Sequence, residues 1–430
     1  MADSQMEVVV QLAGADVLAG RMWSHRARGN ESATFSYATD YLARRDAYEL
    51  DPLLPLSAGQ QQSPAGRAIF GAFSDSAPDR WGRRLIQRAE RRGARHDDET
   101  ERSFGEIDYL VGVRDDLRQG ALRYRDPETG GYLANERAGI PHLVALPKLL
   151  DAVERVERDE ADDAEIDVLL HGGSSLGGVR PKAHVLDAAG RIAIAKFPSP
   201  ANDDWDVMRW EAVALTLAGR AGIAVPDFTL HTIGEQAVLI VDRFDRRGDQ
   251  RIGYVSAMTM LEATDGDDGS YLDIADVVER QSPTAGEDLR QLWRRIAFSI
   301  LISNTDDHLR NHGFLRTSTA GWSLSPAFDI NPDPRPGEKY LSTAIDYDST
   351  AARLDTLLDV AEFFRLAPDD ARAVLRDVVD TVDRWRTTAR KLGLGSSAIE
   401  QMAPAFEHQQ AEVARAITTP AVGPDRRADD

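Results

Sequence analysis

Residues 303–314 read SNTDDHLRNHGF, directly after the apolar run LWRRIAFSILI. Asp306 and Asn311 form D-x-x-x-x-N, the spacing of a protein-kinase catalytic loop. In such a loop the Asp accepts the proton of a substrate hydroxyl, and the Asn offers a carboxamide oxygen to a magnesium ion. Eighteen residues past Asn311 comes Asp329, in AFDIN, after the strand-like WSLS. A carboxylate there could bridge a hard cation to nucleotide phosphates, as the Asp of a D-F-G element does. D-x-x-x-x-N alone is common, and Asp307 and His308 also read as helix-cap and turn residues. Asp329 at this distance brings the chemical reading level with the structural one.

A phosphotransferase also needs a cation upstream for the phosphates, and RIAIAKFPS supplies Lys196. With period two, Ile192, Ile194 and Lys196 share one face of a strand, which puts the ammonium at the end of an apolar row. The alternative is an exposed Lys at a strand end. The chain holds only five lysines (148, 182, 196, 339 and 391) among 51 basic residues, so a retained ammonium argues for use. IAIAK also resembles the V-A-I-K of kinases. Glu211, fifteen residues on and on a helical pattern, either pairs with Lys196 or is a solvated helix residue.

HGGSSLGGVRPK, residues 171–182, has four glycines that would let backbone amides approach an anion. It has no Gly-Lys-Ser/Thr and no G-x-G-x-x-G, and alone it reads as a flexible loop. VDRFD, residues 241–245, ends a buried strand and reads as a hinge, where the backbone at Asp242 and Phe244 would meet an adenine edge. The order along the chain is then Gly-rich loop, strand Lys, helix Glu, hinge, catalytic loop, metal Asp. That order is harder to reach by chance than any single piece.

The elements that must position these groups follow from periodicity. EVVVQLAG and ATFSYA read as strands, WGRRLIQRAERR as a helix, and RRGARHDDETERS as a charged, solvated linker. ERVERDEADDAE reads as helical. AHVL and RIAIAKF read as strands joined by the turn Asp187-Ala-Ala-Gly190. WDVMRWEAVALTLAGRAGI has helical spacing with a Gly stop. From about residue 256 the pattern is helical, interrupted by SNTDDHLRNHGF and by LSPAFDINPDPRPGEKY, and PAVGPDRRADD reads as a disordered tail.

At 430 residues, with 42% hydrophobic and 28% charged, the composition is that of a soluble globular protein of two or three domains. There is no run of eighteen apolar residues and no basic, signal-like start, so the expectation is a cytoplasmic protein with no membrane association. With no cysteine, disulfides and thiolate metal sites are excluded. A net charge of −20 argues against direct nucleic-acid binding, though DNA remains reachable through a basic partner.

With those residues in place, the chain resembles the HipA family of serine/threonine kinases, the toxin half of bacterial toxin–antitoxin pairs. SSLGGVRPKAHV is similar to the family's autophosphorylated Ser and Gly-rich loop, NTDDHLRNHGF to its N-x-D-x-H-x-x-N segment, AFDIN to its metal-binding Asp and VDRFDRRG to its hinge. ATFSYATDYL, PLLPLSAG, SDSAPDRWGRRLI and DYLVGVRDDLRQGALRY extend the likeness into the N-terminal half. The resemblance implies Asp306 as catalytic base, Asn311 and Asp329 as magnesium ligands, and Ser175, or the adjacent Ser174, as the autophosphorylation site. It implies ATP on Lys196, Glu211, Asp242, Phe244, Gly177, Gly178, Lys182 and His308. Asp242 departs from the Glu common at the hinge, and Ser174 beside Ser175 leaves the modified hydroxyl open.

The implied fold is a two-lobed, protein-kinase-like α+β fold. Its parts would be an N-terminal α/β subdomain (1–125), a kinase N-lobe (126–245), a helical C-lobe (246–420) and a tail (421–430). The implied partners are a small helix-turn-helix DNA-binding antitoxin of HipB type and a protein substrate such as an aminoacyl-tRNA synthetase. Two other readings stay open: an antitoxin-bound transcriptional co-regulator with little kinase activity, and a small-molecule phosphotransferase. The four retained residues Lys196, Asp306, Asn311 and Asp329 speak against the first, and the long N-terminal region against the second.

Overall fold

A computed structural model describes residues 4–418 apart from 28, 29, 97, 99, 135–139, 173–179 and 201. The N-terminal sheet is antiparallel and contains β1 (Ser4–Leu12), β2 (Ala15–Ala27), β3 (Asn30–Tyr37), β4 (Gln61–Gln62) and β5 (Leu122–Arg125), in the order β4-β3-β2-β1-β5. Ala13 and Gly14 join β1 to β2 with φ of 47° and 82°, the double positive φ that matches a two-residue loop to strand twist. Val8, Val10, Met22 and Phe35 from three of these strands are buried in one core, as the alternating pattern requires.

The helix Arg80–His96 departs from expectation, because the run read as a solvated linker begins inside it. Trp81 and Leu85, four apart, are buried against the second sheet. On the same helix, Arg88 donates to the Val156 carbonyl and Arg92 to the Ala161 carbonyl. The charges are spent on backbone acceptors that composition does not reveal. A second departure lies in ERVERDEADDAE, which splits. One helix is Leu146–Glu157, and Asp159 then takes a left-handed φ of 62°. A new helix, Asp163–Gly172, starts behind a reciprocal cap in which Asp162 and Glu165 each accept the other's backbone N–H, at 2.9 and 2.8 Å.

The second sheet holds β6 (Lys182–Leu186), β7 (Ile192–Lys196), β8 (Phe228–Ile233) and β9 (Gln236–Asp242), ordered β6-β7-β9-β8 and antiparallel throughout. Between β7 and β8 runs the helix Val207–Arg220, capped by Asp206, whose carboxylate accepts the Arg209 N–H at 3.0 Å. Gly222, with φ +78°, follows its end. Trp210 of this helix lies 6.1 Å from both Trp385 and Phe406. The helix is therefore stapled to the C-terminal helical part while its other side meets the sheet.

The hairpin β10 (Arg246–Arg247) and β11 (Gln250–Arg251) leads to a third sheet, β12 (Gly253–Ser256), β13 (Gly313–Ser318) and β14 (Gly321–Leu324), in that order. The rest is mostly helical apart from the irregular stretch 325–353, with Ala285–Leu301 and Pro368–Val382 the longest helices after residue 256. The result is the expected mixed, two-lobed fold. Ser174, Ser175, Gly177, Gly178 and the tail at 421–430 lie outside the described residues.

Candidate active site

Two residues past the helix Ala285–Leu301 comes Ser303, whose φ of 54° turns the chain sharply and whose hydroxyl donates to the Ala405 carbonyl at 3.1 Å. The polar residues that follow divide into pegs and tools. Asp307 is a peg. Buried, it accepts the Tyr271 hydroxyl at 2.6 Å and the Ser299 hydroxyl at 3.2 Å, and His312 Nε2 lies 3.2 Å from its other oxygen. Burial pushes this carboxyl up, but His312 and the hydroxyls outweigh it and hold Asp307 below the ordinary range. The Thr343 hydroxyl donates to the Asp307 carbonyl at 2.6 Å and pins the same loop from the far side.

With Asp307 fixed inward, Asp306 faces out to solvent. Its carboxyl is raised, first by burial of its inner side and then by the charges of Asp329 and Asp307, against the opposing pull of His308. The Asn311 side-chain amide donates to the Asp306 carbonyl at 2.9 Å, so the D-x-x-x-x-N spacing closes a loop on itself.

Lys196 ends β7, where it pairs in register with Lys182 of β6 and Leu239 of β9. Its ammonium is 2.5 Å from Glu211 Oε1 and 3.1 Å from Asp329 Oδ1. Burial would lower the Lys196 pKa, but the two carboxylates overturn that and raise it. Burial likewise pushes Asp329 up, yet Lys196 and Lys182 bring it down to about 2. Glu211, almost fully buried, is raised by burial despite its partner. Asp329 holds a left-handed φ of 57°, a conformation Asp tolerates better than most residues and one that concentrates at functional sites.

These side chains face a cleft of about 840 Å³ lined by Lys182, Lys196, Glu211, Asp242, Phe244, Asp306, His308 and Asp329. Arg67, Arg80 and Asp79 from the N-terminal part line the same cleft. Asp242 closes β9 with Arg191 3.4 Å away, and the Phe244 ring is 5.4 Å from Phe328. Lys182 is buried and paired with Asp79 at 2.8 Å. Asn311 is the predicted residue that the structure sets behind the wall, buried and outside the cleft lining.

Two residues escape the sequence reading. Asn331 approaches Asp329 Oδ1 at 3.5 Å through its amide nitrogen, while its buried carboxamide oxygen has no partner. The signal for it lay within AFDIN. Asp79, 103 residues from Lys182, lay within SDSAPDRWGRRLI, but nothing there pointed to its partner. Among the described residues no three His, Cys, Asp or Glu side chains gather into a metal cage. The ionised Asp329 in the cleft fits the manner in which magnesium is held with a nucleotide, by one or two protein oxygens plus phosphate, while Asn331, like Asn311, lies outside the cleft lining.

Residues 12–103 match the family model for the HipA N-terminal domain, and residues 174–386 that for the HipA-like C-terminal domain. The chain belongs to the HipA family. All the candidate residues from Ser174 to Asp329 fall inside the C-terminal match. The fold of this HipA-family chain is that of HipA from Shewanella oneidensis MR-1, solved as a toxin–antitoxin complex with HipB and operator DNA. The TM-score is 0.63 at 16% identity, over 96% of each chain. In sequence, the protein named "Putative kinase Y4dM" of Sinorhizobium fredii is 26% identical over 247 residues, 51% of this chain. That match spans 59% of the relative's own length. The Helicobacter pylori proinflammatory kinase CtkA aligns over 56% of this chain at 16% identity with a TM-score of 0.45.

Proposed function

We propose that this HipA-family chain is an ATP- and magnesium-dependent serine/threonine kinase, the toxin of a toxin–antitoxin pair. The observation that carries the reading is the convergence of Lys196 on Glu211 and Asp329, in one cleft with the outward-facing Asp306. In this reading Glu211 aims Lys196 at the nucleotide phosphates, and His308 and Lys182 add donors along the cleft wall. Asp242 and Phe244 meet the adenine, and Gly177 and Gly178 cover the phosphates. Asp306 accepts the proton as a Ser or Thr oxygen bonds to the γ-phosphorus, and the bond from that phosphorus to the bridging oxygen of ADP breaks. Asp329 and Asn311 are the residues assigned to magnesium, which when bound neutralises phosphate charge.

The finer parts of the proposal extend past the site. Ser175, or Ser174, is the autophosphorylated residue. The division of the chain stays at 1–125, 126–245 and 246–420. A HipB-like helix-turn-helix antitoxin would suit a surface with a net charge of −20, and DNA would be met through it. The proposed substrate is a translation component such as an aminoacyl-tRNA synthetase. The test is incubation of the purified chain with ATP, magnesium and bacterial lysate, followed by phosphoproteomics. New Ser or Thr phosphosites that vanish with Asp306→Ala support the reading; an unchanged phosphoproteome overturns it.

A further inference from the structure

The connector after β9 is gripped by the N-terminal part of the chain. Arg243 and Asp245 flank Phe244 and are buried, at 6% and 2% exposure. The Arg243 guanidinium has five N–H donors, and five contacts meet them. Nε and Nη2 donate to the two Asp245 oxygens at 2.9 and 2.6 Å. Nη1 donates to the Leu117 carbonyl at 2.7 Å, and Nη2 to the Arg118 carbonyl at 3.0 Å. Nη1 also faces His184 Nε2 at 3.2 Å.

Because a guanidinium offers no acceptor, His184 accepts at Nε2, and its Nδ1–H then donates to the Gly172 carbonyl at 2.8 Å. Asp245 in turn accepts the Gly120 backbone N–H at 2.7 Å, a contact across 125 residues. Arg246 adds bonds to the carbonyls of Arg118, at 2.5 Å, and Gly120, at 3.2 Å. The gripping segment is itself fixed, since Arg118 donates to the Ser76 and Val113 carbonyls at 2.9 Å each.

We infer that residues 117–120 act as a clamp that sets the hinge backbone at 242–245, making Arg243 and Asp245 positioning residues for adenine selection. The hinge carries its purine-reading backbone between two side chains whose partners belong to the N-terminal part. Base discrimination then depends on contacts the base never touches. Arg is required because a Lys ammonium has three donors and no planar fork to span Asp245 and two carbonyls at once. Gly120 is required as well. Its φ is +75°, and a Cβ there would come within 3.2 Å of the Tyr254 backbone nitrogen.

This inference rests on the nucleotide reading of the cleft, and its test separates the two. Fluorescent ATP and GTP analogues are titrated against the full chain, its Arg243→Lys variant and its Gly120→Ala variant. Backbone hydrogen exchange of the residue-120 amide, which donates to Asp245, is followed in the nucleotide-free protein. The expected result is ATP preference in the unaltered chain, about tenfold weaker ATP binding in each variant with GTP binding little changed, and slow exchange at residue 120 that both variants accelerate. An unaltered chain that binds neither nucleotide overturns the kinase reading. One that prefers ATP, with variants that keep the full preference, overturns the clamp alone. If a variant does not fold, the exchange measurement on the unaltered chain still decides, because free exchange of the Gly120 amide contradicts a clamp.

Discussion

The Lys196 ammonium touches Asp329 Oδ1 at 3.1 Å across 133 residues of sequence, joining the end of β7 to the loop that follows β14. The same ammonium holds Glu211, so two carboxylates share one cation in a buried place. On the proposed kinase reading, phosphate entering the cleft would compete for that cation and would open or share the Lys196–Asp329 contact, while Glu211 lies on the helix that Trp210 holds to Trp385 and Phe406.

Removing the ammonium leaves Glu211 buried without a partner, which costs about 3–5 kcal/mol. Lys196→Ala should therefore lower both the melting temperature and ATP affinity. Adding Glu211→Gln should restore much of the melting temperature without restoring activity. Lys196→Arg should not rescue, since a planar fork does not fit where a point charge sits between two carboxylates. Thermal melts and nucleotide titrations on the three variants check this; a fully active Arg variant would return Lys196 to an ordinary strand end.

Much of this site was legible in the sequence because it follows local rules. Lys196 showed by its scarcity and by the alternation of IAIAK, and β7 delivers it as that alternation demands. Asp306 and Asp329 showed by spacing, which also pointed to Asn311, set behind the cleft wall. The partners that make the site hold did not show. Asp79 meets Lys182 across 103 residues, and Gly120 meets Asp245 across 125. No local pattern encodes such pairs. The Arg-rich helix end from Arg91 looked solvated because composition registers the charge of Arg92 and not the carbonyl it caps. Spacing singled out Asp306 and left Asp307 as a cap or turn residue; burial shows that Asp307 instead pegs the loop inward.

Asp306→Ala should abolish phosphotransfer while leaving nucleotide affinity nearly intact, a loss on the order of 100- to 10,000-fold for a missing general base. Asp329→Ala should lose both transfer and the magnesium dependence of nucleotide binding. Single-turnover assays beside binding titrations distinguish the two. Near-normal turnover in either variant contradicts the assignment.

Asp306 must be ionised to accept a proton, and its pKa is raised above the usual carboxylate value, chiefly by burial and by Asp329. Activity should therefore be full above that pKa and fall as pH drops through it, with an acid limb above the ordinary Asp value of about 3.9. His308 pulls the other way, so His308→Gln should move the limb to higher pH. A pH profile of kcat/KM for both proteins measures it, and a limb that moves down contradicts the electrostatics.

Asp307→Asn keeps one oxygen for the two hydroxyls but loses the charge and the oxygen that faces His312, a loss of about 1–3 kcal/mol. The native carboxyl is depressed, so its contribution is present above the unfolded pKa and is lost as pH falls through the lower folded one. Acid unfolding of the Asn variant should accordingly show a shallower pH dependence. Its kcat should fall with nucleotide affinity unchanged, because the loop that presents Asp306 loosens.

The most direct measurement is phosphate transfer by the purified chain itself. Incubated with γ-labelled ATP and magnesium, it should gain phosphate on a Ser or Thr, mapped to the peptide of residues 172–182. The Asp306→Ala, Asp329→Ala and Lys196→Ala proteins should gain none under the same conditions. Label that never transfers, or that transfers equally with Asp306→Ala, contradicts the account.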